Sequence, residues 1–111
     1  MSEMYTDEFN LLTRAQTVTC IYGWRQNEAG NKRDGYCAEG ALDEAAGELW
    51  GPSLRTEDFP GGGEAYYRSL RTLGALAQDE GFVSIAGWND HPGRTKHEVL
   101  TLFARAALEH A

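Results

Sequence analysis

The sequence predicts a mainly α protein: a compact, single-domain bundle of about four helices spanning residues 1–111, with room for a small β element. Three observations carry that reading. Four stretches repeat apolar residues at i, i+3, i+4 and i+7, the spacing of a helix with one buried face. The segments between them are rich in glycine, proline and asparagine, which punctuate helices. The 111 residues, 41% of them hydrophobic, supply enough apolar surface for one core and too little for two.

The first helix is expected from Asp7 to about Gly23. Leu11, Ala15, Val18 and Tyr22 recur at helical spacing, and Phe9, Leu12 and Thr19 widen the stripe. Asp7 and Glu8 fall in the first turn, where the helix dipole favours negative charge. The second helix is expected from Cys37 to Leu49 on Ala38, Ala41, Leu42, Ala45 and Leu49. It contains Gly40 and Gly47, and interior glycine costs a helix about 1 kcal/mol relative to alanine. Their presence predicts another backbone close by and a central place for this helix.

The third helix, Glu64 to Glu80, presents Tyr66, Leu70, Leu73, Leu76 and Ala77 on one face and ends at Gly81 as a C-cap. The fourth, Lys96 to His110, buries Val99, Leu100, Phe103, Ala106 and Ala107. Between the first two helices, Trp24 to Tyr36 holds turn formers and the basic residues Arg25, Lys32 and Arg33, and reads as an irregular hairpin. Phe82-Val83-Ser84-Ile85 reads as extended, with Val83-Ser84-Ile85 a candidate partner strand for that hairpin. Gly51 to Gly63, with Pro52, Pro60 and three consecutive glycines, reads as a long loop, its glycines a flexible linker.

The most specific local pattern is Trp88-Asn89-Asp90-His91-Pro92-Gly93-Arg94-Thr95. Pro92-Gly93 suits the centre of a type II turn, because proline fixes φ and glycine accepts positive φ. Thr95 and Glu98 form a T-x-x-E capping box that launches the last helix. Asn89 or Asp90 suits an Asx-turn, Asp90 can pair with Arg94, and Trp88 supplies an apolar anchor. Turn and capping chemistry thus accounts for Pro92, Gly93, Thr95 and Glu98. It accounts only loosely for Trp88, Asn89, Asp90 and Arg94, whose polar groups would stand on a rigid loop beside a helix N-terminus.

Gly23-Trp24, Cys37-Ala38-Glu39-Gly40-Ala41-Leu42, and Ser84-Ile85 with Trp88-Asn89-Asp90-x-Pro92-Gly93-Arg94-Thr95 and Glu98-Val99-Leu100 together resemble an uncharacterised family of small proteins of actinobacteria and their phages. That family is a domain of unknown function with a GW…CxxGAL…WNDxPGRT pattern, and the likeness spans most of the chain in the same order. It implies a bacterial or phage accessory protein and no mechanism. The positions it marks are Trp24, Cys37, Trp88, Asn89, Asp90 and Arg94; His91 falls outside the pattern.

Charge and composition narrow the function classes. Ten basic residues against seventeen acidic give a net charge of −7, which opposes direct binding to nucleic acid. Met1 to Tyr22 lacks both a basic leader and a long apolar core, and no apolar run reaches membrane-spanning length, so a cytoplasmic protein is expected. Two cysteines, Cys20 and Cys37, are too few for a disulfide framework and are expected as buried free thiols. His91, His97 and His110 lack metal-ligand spacing, Gly61-Gly62-Gly63 lacks the lysine of a phosphate loop, and neither a metal nor a cofactor is implied.

The leading expectation is a noncatalytic accessory or regulatory protein that binds a protein partner or a small ligand. Its pocket would be walled by Trp24 and Trp88, with Asn89, Asp90 and Arg94 as polar groups and Cys37 at its back. A homodimer is compatible with the composition. One alternative is a small enzyme using Cys37 as nucleophile with His91 or Asp90 as base. Another is an acidic inhibitor or DNA mimic directed at a nucleic-acid-binding protein, which needs one contiguous face built from Glu39, Asp43, Glu44, Glu48, Glu57 and Asp58.

Overall fold

The structure is a computed structural model that describes residues 5–51 and 62–111. It is mainly helical, with a small two-stranded antiparallel sheet. Helix α1 runs Asp7–Tyr22, strand β1 Gly30–Asn31, strand β2 Gly35–Tyr36, helix α2 Ala38–Trp50, helix α3 Gly62–Asp79, helix α4 Ile85–Asn89 and helix α5 Lys96–Leu108. Each of the four expected helices is present, and α4 is an addition.

Helix α1 starts where Thr6 Oγ1 accepts the Phe9 N–H at 3.0 Å. Its buried face, Leu11, Leu12, Ala15, Val18 and Thr19, packs against α2, α3 and α5. That breadth gives α1 the central place expected of α2. The buried side chains of the helices form one cluster in which Leu42, Leu73, Trp88, Val99 and Phe103 are almost fully shielded. Cys20 lies on the outer side of α1 and is exposed, contrary to the expectation of burial, because the inner stripe at that end passes through Val18 and Thr19.

The hairpin between α1 and α2 pairs Gly30 with Tyr36 and Asn31 with Gly35. Asn31 Oδ1 closes its turn by accepting the Arg33 and Asp34 N–H groups at 2.9 and 2.8 Å. The third member is Trp24, bridged in parallel to Tyr36. Val83-Ser84-Ile85 does not join this sheet. Ser84 instead caps α4, its Oγ accepting the Gly87 N–H at 3.1 Å, so a segment whose apolar residues read as extended becomes the entry to a helical turn.

Gly40 shows the close approach its position implied: a Cβ there would collide with the Ala29 carbonyl oxygen. Gly47 does not, since no described atom lies within 4 Å of where its Cβ would be. At the 51–63 loop, positions 52–61 lie outside the described residues, and Gly62 and Gly63 open α3 instead of belonging to a linker. The turn before α5 has the expected form, with His91 C=O accepting the Arg94 N–H at 3.0 Å and Gly93 at φ 88°. The capping box is complete, with Thr95 N–H to Glu98 Oε1 at 2.8 Å and Glu98 N–H to Thr95 Oγ1 at 3.2 Å. No helix among the described residues is long and apolar enough to cross a membrane.

Candidate functional site

Asn89 is the node around which the motif residues gather. Its side chain is 1% exposed and uses its full hydrogen-bonding capacity. Oδ1 accepts Trp24 Nε1–H at 2.7 Å and the Ala38 N–H at 3.0 Å. Nδ2 donates to the Arg25 carbonyl at 3.1 Å and to Asp90 Oδ1 at 3.0 Å. Two partners can only donate and two can only accept, so the amide orientation is fixed by chemistry. One side chain thereby joins the end of α4 to the 24–25 segment and to the first residue of α2.

Asp90 extends the node. Its Oδ1 also accepts the Asn27 N–H at 2.8 Å, holding Asn27 in a left-handed conformation at φ 75°. Gln26 Nε2 donates to the carbonyls of Asn89 and His91 at 3.1 and 2.9 Å. Sequence reasoning missed Gln26 and counted Asn27 only among the turn formers of the 24–36 segment; the tolerance of asparagine for positive φ was the legible part of that signal.

Arg94 and Trp88 form a separate unit on the other side. Trp88 Nε1 donates to Glu80 Oε1 at 3.0 Å. The Arg94 guanidinium lies 3.8 Å from the Trp88 ring centroid and 5.3 Å from that of Phe82, and Nε donates to the Trp88 carbonyl at 2.8 Å. The expected pairing of Arg94 with Asp90 is replaced by a 3.5 Å ion pair to Glu98, one helical turn along α5, because stacking on Trp88 turns the guanidinium away from the node.

The single pocket expected between Trp24 and Trp88 is therefore divided. Cys37, Asn89 and Asp90 line one cavity of about 330 Å³ together with Asn27, Glu39, Asp43 and Ala86. Trp88 and Arg94 line another of about 270 Å³, bounded by Glu80 and by His97, Glu98 and Thr101 of α5. Trp24 lines neither, since its indole is spent on Asn89. A groove of about 550 Å³ adjoins the first cavity along α2, sharing Ala29, Gly40 and Asp43 with it and continuing past Tyr36, Glu44, Gly47 and Glu48.

Electrostatics separates holding from reacting. Cys37 is the N-cap of α2, its Sγ accepting the Gly40 N–H at 3.2 Å, yet burial outweighs the backbone donors and pushes the thiol up. A thiol so placed stays protonated at neutral pH and is a weak nucleophile. Burial also raises the Glu39 carboxyl, with Asp43 as a second cause, and raises Asp43 against the opposing hydrogen bond from the Tyr66 hydroxyl. Burial and the neighbouring Glu44 push the Tyr36 phenol up to about 12.

Four of the six carboxylates of the expected acidic face, Glu39, Asp43, Glu44 and Glu48, line the continuous cavity and groove along α2; Glu57 and Asp58 lie outside the described residues. Glu44 is 3.8 Å from Lys32 Nζ and Glu48 is 3.3 Å from Arg14. Among the described residues, Glu39, Asp43 and Asp90 carry no ion pair, and no group of three or more His, Cys, Asp or Glu could share a metal ion.

These features define a mainly helical protein in which one buried asparagine ties a hairpin, a short helix and a long helix around an open, carboxylate-lined cavity. The chain belongs to a family of unknown function, DUF6197, whose model matches residues 5–109. No curated protein and no solved structure matches the chain.

Proposed function

We propose that the chain is a noncatalytic accessory or regulatory protein, of actinobacterial or phage origin, that binds a protein partner or a small ligand. The origin rests on the likeness of the GW, CxxGAL and WNDxPGRT segments to proteins of that source. The expected Trp24/Trp88–Asp90–Arg94 region narrows to the cavity where Cys37, Asn89 and Asp90 meet Glu39 and Asp43, which Trp24, Trp88 and Arg94 do not line.

One observation carries this reading. The polar groups of Asn89 are all consumed by the fold, so the residues it braces present a preformed wall. A largely preformed concavity with a few polar groups is the usual form of a binding site. The raised Cys37 thiol weighs against the enzyme reading with His91 or Asp90 as base.

Native mass spectrometry of the protein purified from its natural host tests the reading. A bound molecule or partner is expected on the wild-type chain and not on Ala86→Trp, which fills the cavity from an exposed position of α4. A bare wild-type protein, or a complex that Ala86→Trp leaves intact, would contradict it.

A further inference from the structure

We infer that the outer face of α2 is a docking surface for a basic segment of a partner protein, with a Lys or Arg side chain entering the cavity between Glu39, Asp43 and Asp90. The inference rests on the binding reading above and names the partner's chemistry.

The shape of the surface supports a chain-like occupant. Gly40, Asp43, Glu44, Gly47 and Glu48 stand at i, i+3, i+4, i+7 and i+8, one continuous stripe of α2 facing the hairpin residues Ala29 to Asn31 across a groove of about 550 Å³. Gly40 is needed because the Ala29 carbonyl sits against it. Gly47 is different: a helix-interior glycine is unfavourable, and no described atom of this chain crowds the position. Glycine there adds no side chain to the groove that the position lines.

Charge complementarity names the occupant. The groove's outer carboxylates, Glu44 and Glu48, are balanced by Lys32 and Arg14, whereas Glu39, Asp43 and Asp90 face the inner cavity without a described cation. Burial there already disfavours the charged forms of Glu39 and Asp43, so an incoming cation gains more than it would at an open surface. The carboxylates are too dispersed to share one metal ion, and their spread suits a side-chain ammonium or guanidinium with its neighbours along a backbone.

The test is fluorescence anisotropy with a labelled octa-arginine peptide at about 150 mM salt, where long-range attraction between exposed charges is largely screened. The double variant Glu39→Gln/Asp43→Asn is expected to weaken binding at least tenfold. Asp79→Asn/Glu109→Gln, the same charge change on exposed positions elsewhere, is expected to leave it within about twofold. Gly47→Ala is expected to raise Tm and weaken binding together, which a loss of folding cannot mimic.

Equal weakening by both double variants would show attraction to net charge alone and overturn the inference. So would the absence of binding, or a concentration-dependent dimer abolished by Gly47→Ala, which would seat a second copy in the groove. Any of these results with a natural ligand still displaced by Ala86→Trp would overturn the cationic partner and leave the binding reading standing.

Discussion

Trp24 Nε1 and Asn89 Oδ1, sixty-five residues apart, are joined by a 2.7 Å hydrogen bond at the centre of the molecule's most crowded polar node. The bond ties a tryptophan that follows the first helix to an asparagine that precedes the last. It also sets the sign and size of several mutations.

Asn89→Ala strands the Ala38 N–H, the Arg25 carbonyl and the Trp24 indole N–H in a mostly dry environment. Leaving a buried polar group unpaired costs about 1–3 kcal/mol, and partial relaxation makes roughly 3 kcal/mol the expected total. Trp24→Phe removes one donor while Ala38 still serves Oδ1, for a cost of about 1 kcal/mol. Urea denaturation of both variants checks the order; a larger loss for Trp24→Phe would show that aromatic packing, not the node, dominates.

The two glycines of α2 should respond oppositely to alanine. Gly40→Ala forces a methyl into the Ala29 carbonyl and must move the hairpin, a loss of about 2 kcal/mol. Gly47→Ala meets open space and should gain up to about 1 kcal/mol from helix propensity. Thermal denaturation of the pair separates them, and a fall in Tm for Gly47→Ala would mean that its site is filled.

Replacing Arg94 by lysine keeps the charge but removes the planar stack on Trp88 and the Nε–H bond to the Trp88 carbonyl. A loss of about 1–2 kcal/mol is expected. Stability unchanged within about 0.5 kcal/mol would show that Arg94 acts through charge alone.

Burial raises Glu39 and Asp43 in the folded state, so the folded chain holds more protons than the unfolded one just above the ordinary carboxyl values of 4.5 and 3.8. The contribution of these groups to stability is therefore greatest below those values and declines as pH rises through the raised folded ones. Glu39→Gln should raise the urea midpoint at pH 8 and lose that advantage near pH 4, where Glu39 is itself protonated. An advantage independent of pH would assign the effect to something other than ionisation.

The two cysteines should differ in reactivity. Cys20 is exposed, while Cys37 is half-buried with its thiol pushed up, so a maleimide at neutral pH should label Cys20 first. Mass-resolved labelling of the native protein checks this. Faster modification of Cys37 would revive the nucleophile reading.

Much of the fold was legible because it rests on local rules. The apolar spacing around Leu11, Val18 and Tyr22, the cap at Thr95–Glu98 and the Pro92-Gly93 turn each depend on residues within one or two turns of chain. Val83-Ser84-Ile85 was misread because a three-residue apolar segment carries no period, and the serine cap outweighed it. In the site, the sequence marks six residues as one group, and their division into an Asn89 node and a Trp88–Arg94 stack was not legible. Spacing cannot tell whether Arg94 turns back to Asp90 or forward to Glu98; the indole face decides. Glu39 and Asp43 read as part of an acidic face for a mimic, and only the folding of the hairpin over Gly40 places them in a cavity.

The central claim is that the cavity and groove along α2 form the binding surface, and amide chemical-shift mapping tests it most directly. Titrating the isotope-labelled protein with octa-arginine at about 150 mM salt should move the resonances of Glu39, Gly40, Asp43, Gly47 and Ala86 and leave those of α5 near Leu108 in place. Shifts concentrated on α3 and α5, or spread evenly over every exposed acid, would contradict it.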